Sequence, residues 1–172
     1  MQQSADQNRQ ERRNRESATL RRWSRAAAGA LGGAVAIGAM EWFSAFSEFP
    51  LASIPFATSI VLVMGSPDAE PAQPRALVGG HVVSALVGLL VLQLTGPDAW
   101  AAALAVGVAI VAMHATRTFH PPAGINPLLI VTMAMPWTFL AVPVGAGVLL
   151  LLVFAWTWNN IGAEKSWPQR WW

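Results

Sequence analysis

Between Ala26 and Ala163 the chain carries only seven charged side chains: Glu41, Glu48, Asp68, Glu70, Arg75, Asp98 and Arg117. The stretches between them are long and apolar. Hydrophobic residues make up 54% of the 172 positions and charged residues 12%, against roughly 25% charge in an ordinary soluble domain. A water-soluble core of this size cannot enclose so much apolar sequence. The expected fold class is therefore all-α, a polytopic membrane helix bundle.

Four segments approach the ~20 residues that a helix needs to cross the hydrocarbon: 26–46, 76–94, 99–116 and 138–158. Trp42, Trp100, Trp137, Trp156 and Trp158 fall near their ends, as interfacial aromatics do. The first span is built on Ala and Gly, which let neighbouring backbones approach. Gly96-Pro97-Asp98 marks a tight turn between the second and third. Two further apolar segments, Pro55 to Gly65 and Ala123 to Met135, are shorter, about 16 to 20 Å each as helix. Each follows prolines, at Phe49-Pro50-Leu51-Ala52-Ser53-Ile54-Pro55 and at His120-Pro121-Pro122. Proline removes a backbone donor and drives its predecessor into extended geometry, so both read as an extended lead-in followed by a half-helix.

The layout of long span, half-helix, long span thus occurs twice, offset by 66 residues from Pro55 to Pro121. An inverted two-fold internal repeat with three crossings per half is expected. Both chain ends are then cytoplasmic, and they remain so if the short pieces re-enter and only four crossings are made. The positive-inside rule points the same way, since seven of the eleven basic residues lie in Arg9 to Arg25. The expected divisions are a basic cytoplasmic arm over 1–25, mobile or surface-helical, a membrane domain over 26–160, and a short tail over 161–172. The arm reads as a solvated flank, or as a lipid or partner site, not as a nucleic-acid binder. Arg21-Arg22 followed by a long apolar segment reads as a retained anchor, and the expected location is a bacterial inner (plasma) membrane. The chain has no cysteine, so disulfides, thiol catalysis and cysteine-ligated zinc are excluded.

Broken backbone at membrane depth is tolerated only where protein covers it or it lines a watery cavity, so the proline breaks are candidate site positions. A half-helix start offers free N–H groups and a positive dipole end, which suit an anion. Two such starts, Ala57-Thr58-Ser59 and Ala123-Gly124-Ile125-Asn126, could face each other with Thr58, Ser59, His120 and Asn126 as side-chain donors. Equally, the prolines could simply end helices at loops. Ser66, Gln73, Arg75, His81 and Arg117 are candidates for a gate or vestibule. His81, His114 and His120 match no metal-ligand spacing, so each is expected to hydrogen-bond between helices, with His120 pinned beside a half-helix start by its prolines. No serine nucleophile with a paired base, phosphate loop or carboxylate dyad is present. Neither an enzyme nor a cofactor or metal protein is expected.

His120-Pro121-Pro122-Ala123-Gly124-Ile125-Asn126-Pro127-Leu128 resembles the signature of the HPP family of integral membrane proteins. Pro55-Phe56-Ala57-Thr58-Ser59, Val61-Leu62, Ser66-Pro67, Ala72-Gln73-Pro74-Arg75 and Gly80-His81 match as well, so the likeness covers about residues 26 to 160. Ile125 and Asn126 are bulkier than the small residues expected there. The family is usually described as having four transmembrane helices, and its plant and cyanobacterial members are implicated in nitrite transport. The resemblance implies a transporter or channel for a small inorganic anion, nitrite first, with Pro121 and Pro122 shaping a site around the residues above. Rivals are a non-transporting structural module and a metal or cation permease using the histidines. Gly- and Ala-rich faces make a homo-oligomer an expectation too.

Overall fold

The computed structural model describes residues 2–46, 54–161 and 166–171. The extended lead-in expected over Phe49 to Ser53 lies outside the described residues. Among these described residues six α-helices make the bundle: α1 (Gln2–Phe46), α2 (Ile54–Gly65), α3 (Pro74–Thr95), α4 (Ala99–Ala115), α5 (Ile125–Thr132) and α6 (Gly147–Asn160). Short 3-10 turns at Glu70–Ala72 and Pro121–Gly124 precede α3 and α5, and a π-helical stretch, Leu140–Ala146, leads into α6.

The basic arm and first span form one unbroken 45-residue helix, α1. Of the two expectations for the arm, the helix is the one observed. Residues 7–28 are almost all exposed, and packing begins only at Gly29. Among the described residues three helical stretches are long and apolar enough to cross a membrane, Gln7–Phe46, Pro74–Thr95 and Leu140–Asn160. The remaining expected span, α4, is a shorter apolar helix of 17 residues, about 26 Å long. It ends within one residue of the expected Thr116, where Arg117 takes a left-handed φ of 55° and the Thr118 and Arg117 N–H groups fold back to the Met113 and His114 carbonyls at 2.8 and 3.0 Å. This is a Schellman termination. The same motif ends α5, with Ala134 at φ 49° and Met135 N–H donating to the Ile130 carbonyl at 2.9 Å.

Consecutive helices alternate in direction. Gly29 of α1 lies against the Met64 carbonyl near the end of α2, and Met40 and Glu41 border the same recess as Ile54 at its start. Arg75 at the start of α3 donates to the Thr116 carbonyl beyond the end of α4 at 3.0 Å, while Val91 and Leu92 pack on Ala101 and Ala102. The short α5 follows α3, with Asn126 beside His81 and Ile130 packed with Ala85 and Leu89. Returning along α2 and α1, α6 brings Gly147 to Phe56 and Trp158 to Gly32. The fourth span expected over 138–158 is met by Leu140–Asn160; within it Pro143 supplies no N–H and crowds the preceding turn, and the helix widens around it into π geometry.

Burial is inverted relative to a soluble protein. Leu90, Leu94, Val108, Val111, Leu149 and Val153 are exposed around the bundle, whereas Ser59, His81, Ser84, His120 and Asn126 are all 0% exposed at its centre. Hydrocarbon accepts the first set, and the second set finds its partners inside.

Candidate functional site

The two proline breaks bring their helix starts to one level. On α2, Ser59 sits one turn past Pro55 and points inward. On the other break, Pro121 and Pro122 have no N–H to donate, so the 3-10 turn begins at His120 and leaves its ring inside the bundle. His81 of α3 lies between them, its ring 4.6 Å from Phe56 and 5.2 Å from His120, centroid to centroid. The backbones close on this cluster where α3 has glycine: a Cβ on Gly80 would lie 2.5 Å from His120 Cβ, and one on Gly88 would lie 2.7 Å from Pro127 Cα.

The hydrogen bonds form a single chain whose polarity can be deduced from one end. His120 Nδ1 meets the Pro71 carbonyl at 2.6 Å, and a carbonyl only accepts, so Nδ1 carries the proton. In the neutral ring Nε2 is then an acceptor, and takes the Ser59 hydroxyl proton at 2.8 Å. The Ser59 oxygen in turn accepts from His81 Nε2 at 2.9 Å, which leaves His81 Nδ1 to accept from the Asn126 amide at 3.0 Å. That amide nitrogen also lies 3.0 Å from Ser84 Oγ and 3.2 Å from the His81 carbonyl. Three acceptors thus crowd two amide hydrogens, while Asn126 Oδ1 is buried with no partner.

The expected site residues are partly assembled by this geometry. Ser59, His120 and Asn126 join the cluster, and His81, expected at a gate, is its centre. Ala123 is buried beside it; Ile125 and Pro122 are half-buried, and Pro121 is exposed. Thr58 is exposed on the outer face of α2, one residue and about 100° round the helix from Ser59. Ala57 borders the recess with Glu41 and Ile54. Gly124 has open space where a Cβ would stand. The backbone donors of the second half-helix are largely taken, Ala123 N–H by the His120 carbonyl and Ile125 N–H by that of Pro122, because the 3-10 turn closes on itself.

Of the gate candidates, Ser66 and Arg117 are exposed, and Arg75 is held at the Thr116 carbonyl. Gln73 is a structural clasp: it donates to the Pro67 and Ala69 carbonyls at 2.8 and 3.2 Å and accepts from the Gln169 N–H at 2.9 Å. Ser84 and the Pro71 carbonyl escaped the sequence reading. Ser84 was detectable, since His81 and Ser84 are polar positions three apart on one face of an otherwise apolar helix. His114, on the outer side of α4, stacks on Phe119 at 4.1 Å. Among the described residues no three His, Asp or Glu side chains gather as a metal-holding group.

The HPP transmembrane-region family matches residues 17–168, nearly the whole chain and every residue of this cluster. The chain belongs to the HPP transmembrane family. Two curated transmembrane proteins of Dictyostelium discoideum are similar to it, 41% and 38% identical over 125 residues. Each alignment covers 68% of this chain, and 40% and 44% of the respective relative, so this HPP chain spans less than half the length of the curated proteins it matches. No solved structure matches it.

Proposed function

We propose that this HPP-family membrane protein carries a small inorganic anion across the bilayer, nitrite first, along a path through the Ser59–His81–His120–Asn126 cluster. The observation that carries the reading is the cluster itself. Two imidazoles, a hydroxyl and a carboxamide are wholly buried where two broken helices meet, and ionisable groups at such depth are costly and characteristic of ion and substrate paths. The open space beside Gly124 leaves room near the start of α5 for a small ion. The family resemblance supplies the substrate class.

The alternating helix directions support an inverted repeat, with α1 to α3 answering α4 to α6. The 66-residue offset also separates Pro74, where α3 starts, from Leu140, where the π stretch starts. In this arrangement both described chain ends lie on one side, which the basic arm makes the cytoplasmic one. Side-chain donors of the cluster replace the hydration of the ion, since the backbone donors of the second half-helix are engaged within its own turn.

One observation favours a non-transporting structural module instead: the cluster is close-packed, and a recess of about 430 Å³ lies elsewhere, an apolar groove between α1 and α2 lined by Gly29, Gly33, Ile60 and Met64. Uptake of nitrite into proteoliposomes separates the two readings, with nitrate, formate and chloride as competitors. Saturable uptake that is lost in Ser59→Ala and His120→Ala is the expected result. Uptake no greater than in empty liposomes for every anion tried would leave the structural module standing.

A further inference from the structure

The polarity of the buried chain has a consequence for what travels with the anion. As it stands, Asn126 Nδ2 donates to His81, His81 to Ser59, Ser59 to His120, and His120 to the Pro71 carbonyl. Every ring nitrogen is satisfied with both histidines neutral. The atom left over is the Asn126 carboxamide oxygen, an acceptor, which repels an anion.

Adding one proton changes that. The proton enters at His81 Nδ1, the one ring nitrogen of the cluster whose lone pair meets an amide and not a hydroxyl. The charge can rest on His81, or pass on as His81 Nε2–H transfers to the Ser59 oxygen and Ser59 O–H transfers to His120 Nε2. Wherever it settles, the count of hydrogens leaves one on His81 Nδ1: His81 is either doubly protonated, or neutral with Nε2 accepting from Ser59. The Asn126 amide nitrogen now faces a donor. A half-turn of the carboxamide, which exchanges N and O without changing shape, presents Oδ1 to His81 Nδ1–H. Ser84 can donate to the same oxygen by releasing its 3.2 Å bond to the His81 carbonyl. The turn sacrifices the Asn126 bond to that carbonyl, and swings the two amide hydrogens to where the orphan oxygen had been.

We propose, on the reading of this cluster as an anion path, that the protein moves one proton with each anion, and that Asn126 couples them by turning an acceptor into a donor when the histidine chain gains a proton. Anion and proton then cross as a neutral pair, which avoids moving a net charge through low dielectric. The groups around His120 leave this assignment undisturbed. His81 on α3 is the titratable side chain in direct reach; α2 presents Ser59, the 3-10 turn the Pro71 carbonyl, and Gly80 and Thr118 close other sides. On the adjoining elements Glu70 is exposed, as are His114 and Arg117, and Arg75 is directed to the Thr116 carbonyl.

The test uses the full chain in proteoliposomes containing a pH-sensitive dye, with external nitrite. Nitrate serves as a parallel probe, because its conjugate acid is too strong to cross a bilayer unaided. The expected result for wild type is luminal acidification with one proton per anion, and an initial rate rising about tenfold for each unit the external pH falls until the chain is saturated. Ser59→Ala, in which anion uptake is lost, should lose the luminal acidification with it. Saturable anion entry by wild type with no proton movement would overturn the coupling and leave anion transport intact. If no anion enters above empty liposomes, both are overturned. Because the decisive readout is on wild type, misfolding of the variant cannot rescue the idea.

Discussion

Ser59 Oγ and His120 Nε2, 61 residues apart in sequence, stand 2.8 Å apart in the bundle's interior. This single bond ties the first broken helix to the second break, and it holds because each end is fixed independently. Phe56, three residues before Ser59, is buried against His81 and Gly147, while His120 is anchored from its other nitrogen by the Pro71 carbonyl.

Ser59→Ala removes the one group that bonds both histidines. His81 Nε2 and His120 Nε2 would then be buried without a partner, at about 1–3 kcal/mol for each unsatisfied group. A marked drop in thermal unfolding temperature in detergent is expected. Thr58→Ala, on the exposed face, should stay within about 0.5 kcal/mol of wild type. Equal losses in the two variants would mean that the buried chain contributes nothing specific.

The close approach of α3 to the His120 turn depends on the absence of a side chain at position 80. Gly80→Ala would put a methyl 2.5 Å from His120 Cβ and 2.9 Å from the Thr118 carbonyl oxygen, contacts that must be relieved by backbone movement, at about 1–3 kcal/mol. Gly38→Ala meets nothing within 4 Å and should be neutral, or stabilising by up to about 1 kcal/mol through helix propensity. Thermal unfolding of the two variants side by side checks this, and a tolerated Gly80→Ala would mean that the turn can shift.

Much of this architecture was legible in the sequence. Charge depletion gave the membrane class, and Pro55 and Pro121-Pro122 gave both short helices, because a missing N–H is a local fact that tertiary context cannot repair. The end of α4 was legible to within one residue. The left-handed Arg117 that makes it, a role normally marked by glycine, was not legible. Nor was the π stretch, since a proline within an apolar run is compatible with a kink, a break or a bulge. Within the site, Ser59, His120 and Asn126 were found because they flank prolines. His81, a gate candidate, lies at the centre of the cluster; α3 shows no proline break to tie it to the half-helix starts, and its one sequence signal is the polar pair His81 and Ser84 on a single face.

Left-handed termination also makes a prediction where the chain uses alanine. Ala134 at φ 49° ends α5 in a conformation that costs an L-residue roughly 1–2 kcal/mol and glycine little. Ala134 is exposed, so replacing it removes no packing. Ala134→Gly should therefore stabilise the protein by about 0.5–1 kcal/mol after the added freedom of the unfolded chain is subtracted, read as a higher midpoint of thermal unfolding.

The C-terminal segment offers the last test, because side chains rather than helix packing hold much of it down. Asn160 receives the Trp167 N–H at 3.0 Å and donates to the Trp167 carbonyl at 2.6 Å, while Gln73 accepts from the Gln169 N–H at 2.9 Å. Trp167 itself is buried in the same apolar cluster as Ala72, directly after the Pro71 carbonyl that orients His120. Asn160→Ala removes both bonds to Trp167 and leaves the histidine chain in place. Amide exchange at Trp167 and Gln169 should quicken by at least about tenfold, the equivalent of ~1.4 kcal/mol, while amides of α3 keep their protection. Unchanged exchange at Trp167 would mean that burial of its indole, not the Asn160 clasp, anchors the segment. If the α3 amides quickened too, the clasp would be supporting the Pro71–His120 end of the buried chain as well.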